Sequence, residues 1–230
     1  MSPSFSSLDP RELRRSIAEA RVMLIFSPEL CRGADALETL ESVLEWIDVI
    51  QIRPKSAGAA LPSSARDVHD WCVRVLDMLA GCPRTPRPVI VNDRVDVAGA
   101  LWRSGCAGVH VGQDDSPIED ARSFLGPEPL LGVSTHDMHQ VVAAGVDGVD
   151  YLGFGPVHAT RTKGYEEGLG PESCWVASVA VAQPLFPIGG IDATNIGELN
   201  RIGRAAVGSA ILAAVDPPRV ARELRALLAP

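Results

Sequence analysis

The chain has 230 residues, of which 46% are hydrophobic and 22% charged, and its formal net charge is −8. This length can supply one sizeable hydrophobic core. The acidic balance and the lack of a Lys/Arg-dense run argue against a nucleic-acid partner. No apolar stretch approaches the roughly 18 residues needed to span a bilayer, so no membrane association is expected.

The N-terminal 20 residues have no apolar centre and do not resemble a signal peptide. Instead, Asp9 and Pro10 predict the start of an extra helix over residues 9–20. The cysteines are odd in number and form no CxxC pair: they are Cys31, Cys72, Cys82, Cys106 and Cys174. A disulfide framework and structural zinc are therefore not expected, and reduced thiols in the cytoplasm are predicted.

Short apolar runs alternate with amphipathic stretches of helical length along the whole chain. The predicted strands cover residues 22–26, 49–52, 89–91, 108–111, 130–133, 149–154, 185–188 and 205–207. The predicted helices cover residues 34–47, 64–79, 95–103, 117–124, 138–144, 171–181, 193–201 and 217–228. This alternation indicates parallel strands joined by helical crossovers.

Eight regular β/α units predict an α/β fold: one (β/α)8 TIM-barrel domain over residues 1–230, with residues 1–20 as an N-terminal extension carrying the extra helix. A doubly wound open sheet is the alternative. The lack of an early GxGxxG turn favours the closed barrel. In such a barrel the carboxyl ends of all strands meet at one mouth, so residues distant in sequence can contact one substrate.

Two carboxylates follow neighbouring predicted strands. Asp93 comes after PVIVN and Asp115 after GVHVG. Mg²⁺ prefers oxygen ligands and takes one or two carboxylates together with water and phosphate oxygens. The two residues therefore predict a magnesium site, with Asp96 and Asp114 as nearby carboxylates. The alternative is that each aspartate caps the helix that follows it.

Three cations follow predicted strands or lie in a long loop: Arg53, Lys55 and Lys163. Arg53 alternates with Gln51, so both side chains can point into the mouth. Arginine can grip a phosphate through two hydrogen bonds, whereas lysine supplies a point charge. These residues predict a polyanionic substrate. The alternative for each is a solvated charge at a strand end.

Residues 155–170 form a long loop that contains four glycines as well as Thr160, Thr162 and Lys163. This composition predicts a lid that supplies hydroxyl groups and a cation once substrate has entered. A surface loop without a function is the alternative.

Glycine pairs with small neighbours follow the last two predicted strands. Gly189-Gly190 comes after the seventh, and Gly208-Ser209 after the eighth. Loops at these two places in barrels often bind phosphate through backbone N–H groups, and glycine lets the anion approach the backbone. The pattern predicts a phosphorylated ligand, with simple tight turns as the alternative.

The five histidines form no metal-ligand set. His110 is expected within a strand, and His136 follows Ser134 at the end of the fifth predicted strand. For His136 a structural role and a catalytic role both remain open.

The order of these motifs resembles the thiamine-phosphate synthase family. The resemblance covers about residues 22–211 and depends most on NDRVDVA, GVHVGQDD, GVSTH, DYLGFGPVHATRTK and IGGI. It implies a Mg²⁺-dependent transferase of thiamine biosynthesis. Such an enzyme couples hydroxymethylpyrimidine diphosphate to a thiazole phosphate by a dissociative substitution and releases pyrophosphate. The implied partners are these small substrates, and a homo-oligomer is left open.

The resemblance also implies roles for individual residues. Asp93 and Asp115 match the magnesium ligands, and Arg53, Lys55, Ser134 and Lys163 match the catalytic set. The pyrimidine diphosphate is implied to contact Gln51, Arg53, Lys55, Asn92, Ser134 and Lys163. The thiazole phosphate is implied to contact Thr160, Thr162, Gly190, Gly208 and Ser209.

One residue departs from the family pattern. The family usually has Gln-x-Arg-Glu-Lys, whereas Pro54 stands here in place of the glutamate. Proline removes a carboxylate and a backbone donor, so the shape of the pyrimidine site is in question.

Two other functions remain as alternatives. A thiazole tautomerase has a similar barrel and would use His136 as its acid/base group. A non-catalytic phosphate-binding barrel is the second, because fold alone does not establish activity. The segments Asn92-Asp93, Gln113–Asp115 and Thr160–Lys163 favour the synthase, since isomerisation needs no metal site that binds a diphosphate.

Overall fold

The computed structural model describes residues 9–33, 35–55, 64–82, 87–145, 148–159 and 168–228. Eight parallel strands form one sheet in the order β7-β6-β5-β4-β3-β2-β1-β8, and a parallel bridge between Ile188 and Ala206 brings its edges together. The strands are β1 (Val22–Phe26), β2 (Val49–Ile52), β3 (Val89–Asn92), β4 (Gly108–Val111), β5 (Leu130–Thr135), β6 (Tyr151–Phe154), β7 (Leu185–Pro187) and β8 (Ala205–Val207). This arrangement confirms the predicted barrel.

In the described ranges one helix precedes β1, six connect successive strands around the outside of the barrel, and two follow β8. They are α1 (Pro10–Glu19), α2 (Ala36–Val43), α3 (Ala65–Ala80), α4 (Val95–Leu101), α5 (Ile118–Leu125), α6 (Met138–Ala144), α7 (Pro171–Ala180), α8 (Ser209–Leu212) and α9 (Pro217–Leu227). The predicted N-terminal helix is confirmed, and the Asp9 carboxylate caps it by accepting the Arg11 N–H. In the described ranges no helix has the length and apolar character needed to cross a membrane.

The helix predicted over residues 193–201 is wrong. Only a short 3-10 turn, Ile196–Leu199, forms between β7 and β8. The Asp192 carboxylate accepts the Thr194 N–H, and the Asn195 side chain accepts the Asp192 N–H. Such local side-chain bonds offer the backbone an alternative to helix. They hold the segment as a turn behind Gly190.

The two faces of each strand serve different cores. Outward side chains such as Leu24, Ile50 and Val91 pack against the helices. Inward side chains such as Met23 and Tyr151 fill the barrel. Because successive side chains point to opposite faces, the inward positions continue to the carboxyl ends of the strands. There the inward residues become polar, and they line the mouth.

Helix α1 closes the amino end of the barrel. Leu13 and Ile17 belong to the same buried cluster as Met23, Tyr151 and Phe186. The Arg204 guanidinium fastens the end of the helix by donating to the carbonyls of Ile17 and Ala18. Helix α1 therefore completes the floor of the barrel, opposite the mouth.

Replacing Ile17 with alanine is expected to lower the free energy of unfolding by about 2–5 kcal/mol, because it opens a cavity in a packed core. Ile17 is only 1% exposed. Val215→Ala is the control, since Val215 is 93% exposed and a surface change should shift stability by less than about 0.5 kcal/mol. Equal urea midpoints for the two variants would show that α1 does not seal the barrel.

Candidate active site

A cavity of about 720 Å³ opens at the carboxyl end of the barrel. This is the size of a site for a small organic ligand. Of the residues predicted to bind substrate, the described lining contains Gln51, Arg53, Asn92, Ser134, Gly190, Gly208 and Ser209. Lys55, Asp93 and Asp115 lie outside this lining. Thr160, Thr162 and Lys163 lie outside the described residues.

The end of β2 carries two inward polar residues, as its alternation predicts. Gln51 is buried and Arg53 half-buried, and both line the cavity. The backbone at Arg53 is fixed to the end of β1, because its N–H donates to the Phe26 carbonyl and its carbonyl accepts the Ser27 hydroxyl, each at 2.8 Å. This fixed backbone places the Arg53 side chain in the cavity lining, where its guanidinium supplies a positive charge.

The position that departs from the family pattern is buried. Pro54 is buried in the protein interior. The backbone N–H of the following residue, Lys55, donates to the Glu29 carboxylate at 3.2 Å. Glu29 belongs to a 3-10 turn, Pro28–Leu30, that follows β1. The chain thus places a carboxylate beside the backbone of Lys55 from another loop. No motif in the sequence indicated this contact.

A hydrogen-bonded row of side chains crosses the floor of the cavity. His110 contacts the Tyr151 hydroxyl through Nδ1 at 3.1 Å and the Ser134 hydroxyl through Nε2 at 2.9 Å. Burial raises the pKa of Tyr151, although a bond with Gln51 opposes this. The tyrosine therefore stays protonated. In the tautomer in which the Tyr151 O–H donates to Nδ1, the imidazole donates Nε2–H to the Ser134 hydroxyl, and the Ser134 proton can point to a ligand.

Two glycines on the strands make room for this row. A Cβ on Gly132 would lie 2.0 Å from Tyr151 Cζ, and one on Gly153 would lie 3.3 Å from His110 Cε1. Glycine inside a strand often marks a close approach. The glycines at inward positions of GVS and YLG are thus the sequence signal that could have identified His110 and Tyr151.

Neither aspartate predicted as a metal ligand occupies the cap position of the helix that follows it. The cap residue of α4 is Arg94 and that of α5 is Pro117, and neither cap has a side-chain hydrogen bond. The Asp115 carboxylate instead accepts the Gly112 N–H at 2.8 Å, which folds the loop after β4. Asp93 is joined to β4 by its N–H, which donates to the His110 carbonyl at 2.7 Å. Both aspartates follow adjacent strands at the mouth.

Arg94 and Asp96 form a two-pronged ion pair next to Asp93. The Arg94 Nε and Nη2 groups donate to the two Asp96 oxygens at 2.9 and 2.5 Å. This hydrogen bonding raises the pKa of the Arg94 guanidinium and lowers the pKa of the Asp96 carboxyl. The carboxylate of Asp96 is therefore engaged by Arg94 and faces its own helix.

The turn after β7 requires glycine. Gly190 has a φ of 65°, and a Cβ there would lie 2.7 Å from the Ala159 carbonyl oxygen. The Asn195 side chain holds the turn by donating to the Gly190 carbonyl at 2.8 Å. The start of the predicted lid lies against it, because the His158 N–H donates to the Gly189 carbonyl. The turn and the lid stem are thus one packed unit.

His136 lines the cavity beside Ser134, and its Nδ1 contacts the Gly155 carbonyl. That carbonyl can only accept, so Nδ1 carries a proton. On the far side of the mouth, Gly208 caps the four-residue helix α8, and Ser209 begins it. Both residues line the cavity, and Gly208 lies beside Ile25 of the neighbouring strand β1.

Comparison with known proteins gives one consistent family. A model of the thiamine monophosphate synthase family matches residues 22–211. A thiamine-phosphate synthase of Gloeobacter violaceus is 39% identical over 211 residues, and one of Chloroflexus aurantiacus is 37% identical over 216. The matches cover 90% and 92% of this chain, but 57% of the first relative and 94% of the second.

A solved structure agrees with this result. The thiamine phosphate pyrophosphorylase from Pyrococcus furiosus superposes with a TM-score of 0.75 and 28% identity, over 94% of this chain and 97% of that one. The family match extends over most of the barrel and includes every motif that lines the cavity. The chain belongs to the thiamine monophosphate synthase family.

Proposed function

We propose that the chain is a thiamine-phosphate synthase, which couples hydroxymethylpyrimidine diphosphate to a thiazole phosphate and releases pyrophosphate. One observation supports this more than any other. A single cavity collects polar groups from β2, β3 and β5 on one side and the glycine turns after β7 and β8 on the other. Two phosphorylated substrates can therefore meet inside it, as the coupling reaction implied by the family resemblance requires.

The pyrimidine substrate is assigned to the side formed by β2, β3 and β5. There Gln51, Asn92 and Ser134 offer hydrogen bonds for the ring, and Arg53 offers charge for the diphosphate. Lys55 and Lys163 are proposed to add two further cations, on the basis of the family resemblance. The row through His110 supports this assignment, because the hydrogen bond to His110 fixes the position of the Ser134 hydroxyl in the cavity lining.

The donor set at the mouth fits magnesium. Within the described ranges no three His, Cys, Asp or Glu side chains form a complete metal site. Magnesium needs fewer, because it binds through one or two carboxylates and completes its shell with phosphate oxygens and water. Asp93 and Asp115 would hold it. When bound, Mg²⁺ would neutralise charge on the diphosphate.

The proposed reaction needs no protein nucleophile. The bond between the pyrimidine methylene carbon and the diphosphate oxygen breaks, and its electron pair leaves with pyrophosphate. The aminopyrimidine ring supports the cation until the thiazole nitrogen donates its lone pair to form the new C–N bond. Arg53 stabilises charge on the leaving group, while the cavity walls hold the two substrates close together.

The thiazole phosphate is assigned to the glycine turns. Gly190, Gly208 and Ser209 lie together on that side of the cavity. Backbone N–H groups in such turns bind phosphate well. The lid over residues 155–170, with Thr160 and Thr162 as further contacts, remains a prediction from the sequence and the family resemblance.

We also propose a cytoplasmic location, a single domain over residues 1–230 and small-molecule partners. All five cysteines are free thiols, as a reducing compartment favours. A homo-oligomer stays open, and size-exclusion chromatography with light scattering would decide it.

The test is a single assay with both substrates and Mg²⁺ that follows pyrophosphate and thiamine phosphate. Stoichiometric appearance of both products would establish the synthase. Isomerisation of the thiazole without pyrophosphate would point to the tautomerase alternative. Binding of both substrates without any turnover would point to a non-catalytic barrel.

Replacing Gly190 with alanine should weaken thiazole-phosphate binding by about tenfold or more, which corresponds to about 1.4 kcal/mol. The added Cβ would press on the start of the lid at His158 and Ala159. In addition, the φ of 65° at residue 190 disfavours any side chain. Pyrimidine diphosphate affinity should stay within about threefold, well under that 1.4 kcal/mol step. Calorimetry with each substrate separates the two effects.

Gly197→Ala is the matched control for this variant. Gly197 lies in the 3-10 turn just after the glycine pair, and a Cβ there would have no neighbour within 4 Å. If Gly190→Ala and Gly197→Ala bind the thiazole phosphate equally well, that substrate does not use the turn after β7.

A further inference from the structure

The segment that carries Asp93 has an unusual backbone. Asp93 has a φ of 64°, and in the described ranges it alone among non-glycine residues has a positive φ. The Arg94 N–H donates to the Asn92 carbonyl at 2.8 Å, and the Val95 N–H donates to the Asp93 carbonyl at 3.2 Å. Two tight three-residue turns therefore follow one another, one centred on Asp93 and one centred on Arg94. Together they form a double turn over residues 92–95. A turn with a left-handed central residue is rare and strained, so the surrounding structure must hold it.

The first side of this double turn is held by the barrel. The Asp93 N–H donates to the His110 carbonyl of β4 at 2.7 Å. Asn92 pairs with His110 in the register of β3 and β4. The backbone therefore reaches Asp93 from a fixed strand, and the strand itself cannot relax the turn.

The second side is held by the Arg94–Asp96 ion pair. Arg94 occupies the cap position of α4 without capping it, and Asp96 lies in the first turn of that helix. Two N–H groups of the Arg94 guanidinium donate to the two Asp96 carboxylate oxygens, which gives a bidentate ion pair, or fork. This geometry fixes orientation as well as distance, because both groups are planar. The fork therefore ties the exit of the double turn to the helix.

Stability alone does not explain this pair. The side chains are 33% and 56% exposed, and an exposed ion pair contributes little to folding. Neither residue belongs to the cavity lining, so neither is placed to touch a substrate there. The pair instead affects the backbone conformation of the neighbouring residue, Asp93.

We propose that Arg94 and Asp96 are positioning residues, whose ion pair holds the double turn so that the Asp93 carboxylate stays presented to the metal-bound diphosphate. This inference rests on the proposed function, since it assumes that Asp93 binds the metal. Without the fork, the turn relaxes toward conformations with a negative φ at Asp93. The fraction of molecules competent to bind metal then falls, and the apparent affinity falls by the same factor.

The experiment measures Mn²⁺ binding in the presence of inorganic pyrophosphate, by calorimetry and by electron paramagnetic resonance. Arg94→Gln and Asp96→Asn should each weaken this binding by about 10–100-fold, the usual effect of removing a partner that orients a metal ligand. Arg94→Lys keeps the charge but loses the fork, so it should resemble Arg94→Gln rather than the wild type. Thiazole-phosphate affinity should not change in any of them.

The matched control is Arg15→Gln, which removes another exposed arginine from an ion pair, with Glu12 on α1 at the opposite end of the barrel. It should leave Mn²⁺ binding unchanged. Kinetics provide a second measurement: the Arg94 and Asp96 variants should raise the Mg²⁺ concentration for half-maximal rate and approach wild-type kcat at saturating Mg²⁺.

The outcomes separate this inference from the proposed function. Wild-type binding of Mn²⁺ with pyrophosphate, unchanged in the Arg94 and Asp96 variants, would overturn the positioning role and leave the metal site standing. No pyrophosphate-dependent Mn²⁺ binding in the wild type would overturn the metal site and the positioning role together. If Arg15→Gln weakens Mn²⁺ binding as much as the Arg94 and Asp96 variants do, the effect is not specific to the Arg94–Asp96 ion pair.

Discussion

Asp93→Ala is expected to lower the rate of pyrophosphate release by at least about 100-fold at saturating substrates, because a metal contributes several kcal/mol to a charged transition state and each 1.36 kcal/mol is tenfold. Asp93 follows β3, and the cap position of α4 is occupied by the next residue, Arg94. If Asp93 binds the metal as proposed, this change removes a metal ligand and leaves the cap residue of α4 in place. The measurement is a coupled pyrophosphate assay over a range of Mg²⁺ concentrations.

Two further variants make this result specific. Asp93→Asn keeps a residue that tolerates the φ of 64°, so it should fold normally while losing the negative charge and most of the activity. Asp114→Ala removes an exposed carboxylate from the same mouth and should retain activity. Full activity of Asp93→Ala in the presence of a chelator would remove the metal from the proposed mechanism.

The barrel could be predicted because each strand is marked by a local sequence pattern, and this pattern recurs along the chain. Four strands, β1, β2, β4 and β8, have the predicted bounds. Buried apolar runs bounded by polar or glycine residues mark such strands clearly. The failure at residues 193–201 is also local in cause. Asp192 and Asn195 bond to nearby backbone groups and compete with a helix that the apolar spacing alone indicated.

The cavity was only partly predictable. Gln51 and Arg53 follow from the alternation of one strand, and both line the mouth. The row from Tyr151 through His110 to Ser134 joins three strands. Its members are 41 and 24 residues apart in sequence, so no single segment shows the pattern. The φ of Asp93 has no signature either, because NDR is compatible with an ordinary turn.

The choice between synthase and tautomerase turns on Arg53 and His136, which line the same cavity. Arg53→Ala should lower kcat by about 100-fold or more, the usual effect of removing one group that stabilises transition-state charge. It should weaken substrate binding less, because charge on the leaving group grows during the reaction. Lys163→Ala should act in the same direction, since the family resemblance assigns it the same task.

His136→Asn is expected to reduce pyrophosphate release by less than about tenfold, because the thiazole nitrogen attacks with its own lone pair and general acid–base catalysis would contribute more than that. The Nδ1 proton of His136 already serves the Gly155 carbonyl, and an asparagine amide can donate to the same group. A tautomerase requires the reverse order, with His136 indispensable for proton transfer and Arg53 of modest effect. Both variants should therefore be assayed for pyrophosphate release and for thiazole isomerisation. If the wild type isomerises the thiazole in a His136-dependent way and releases no pyrophosphate, the cavity is that of an isomerase, and its cations serve only to hold a phosphate.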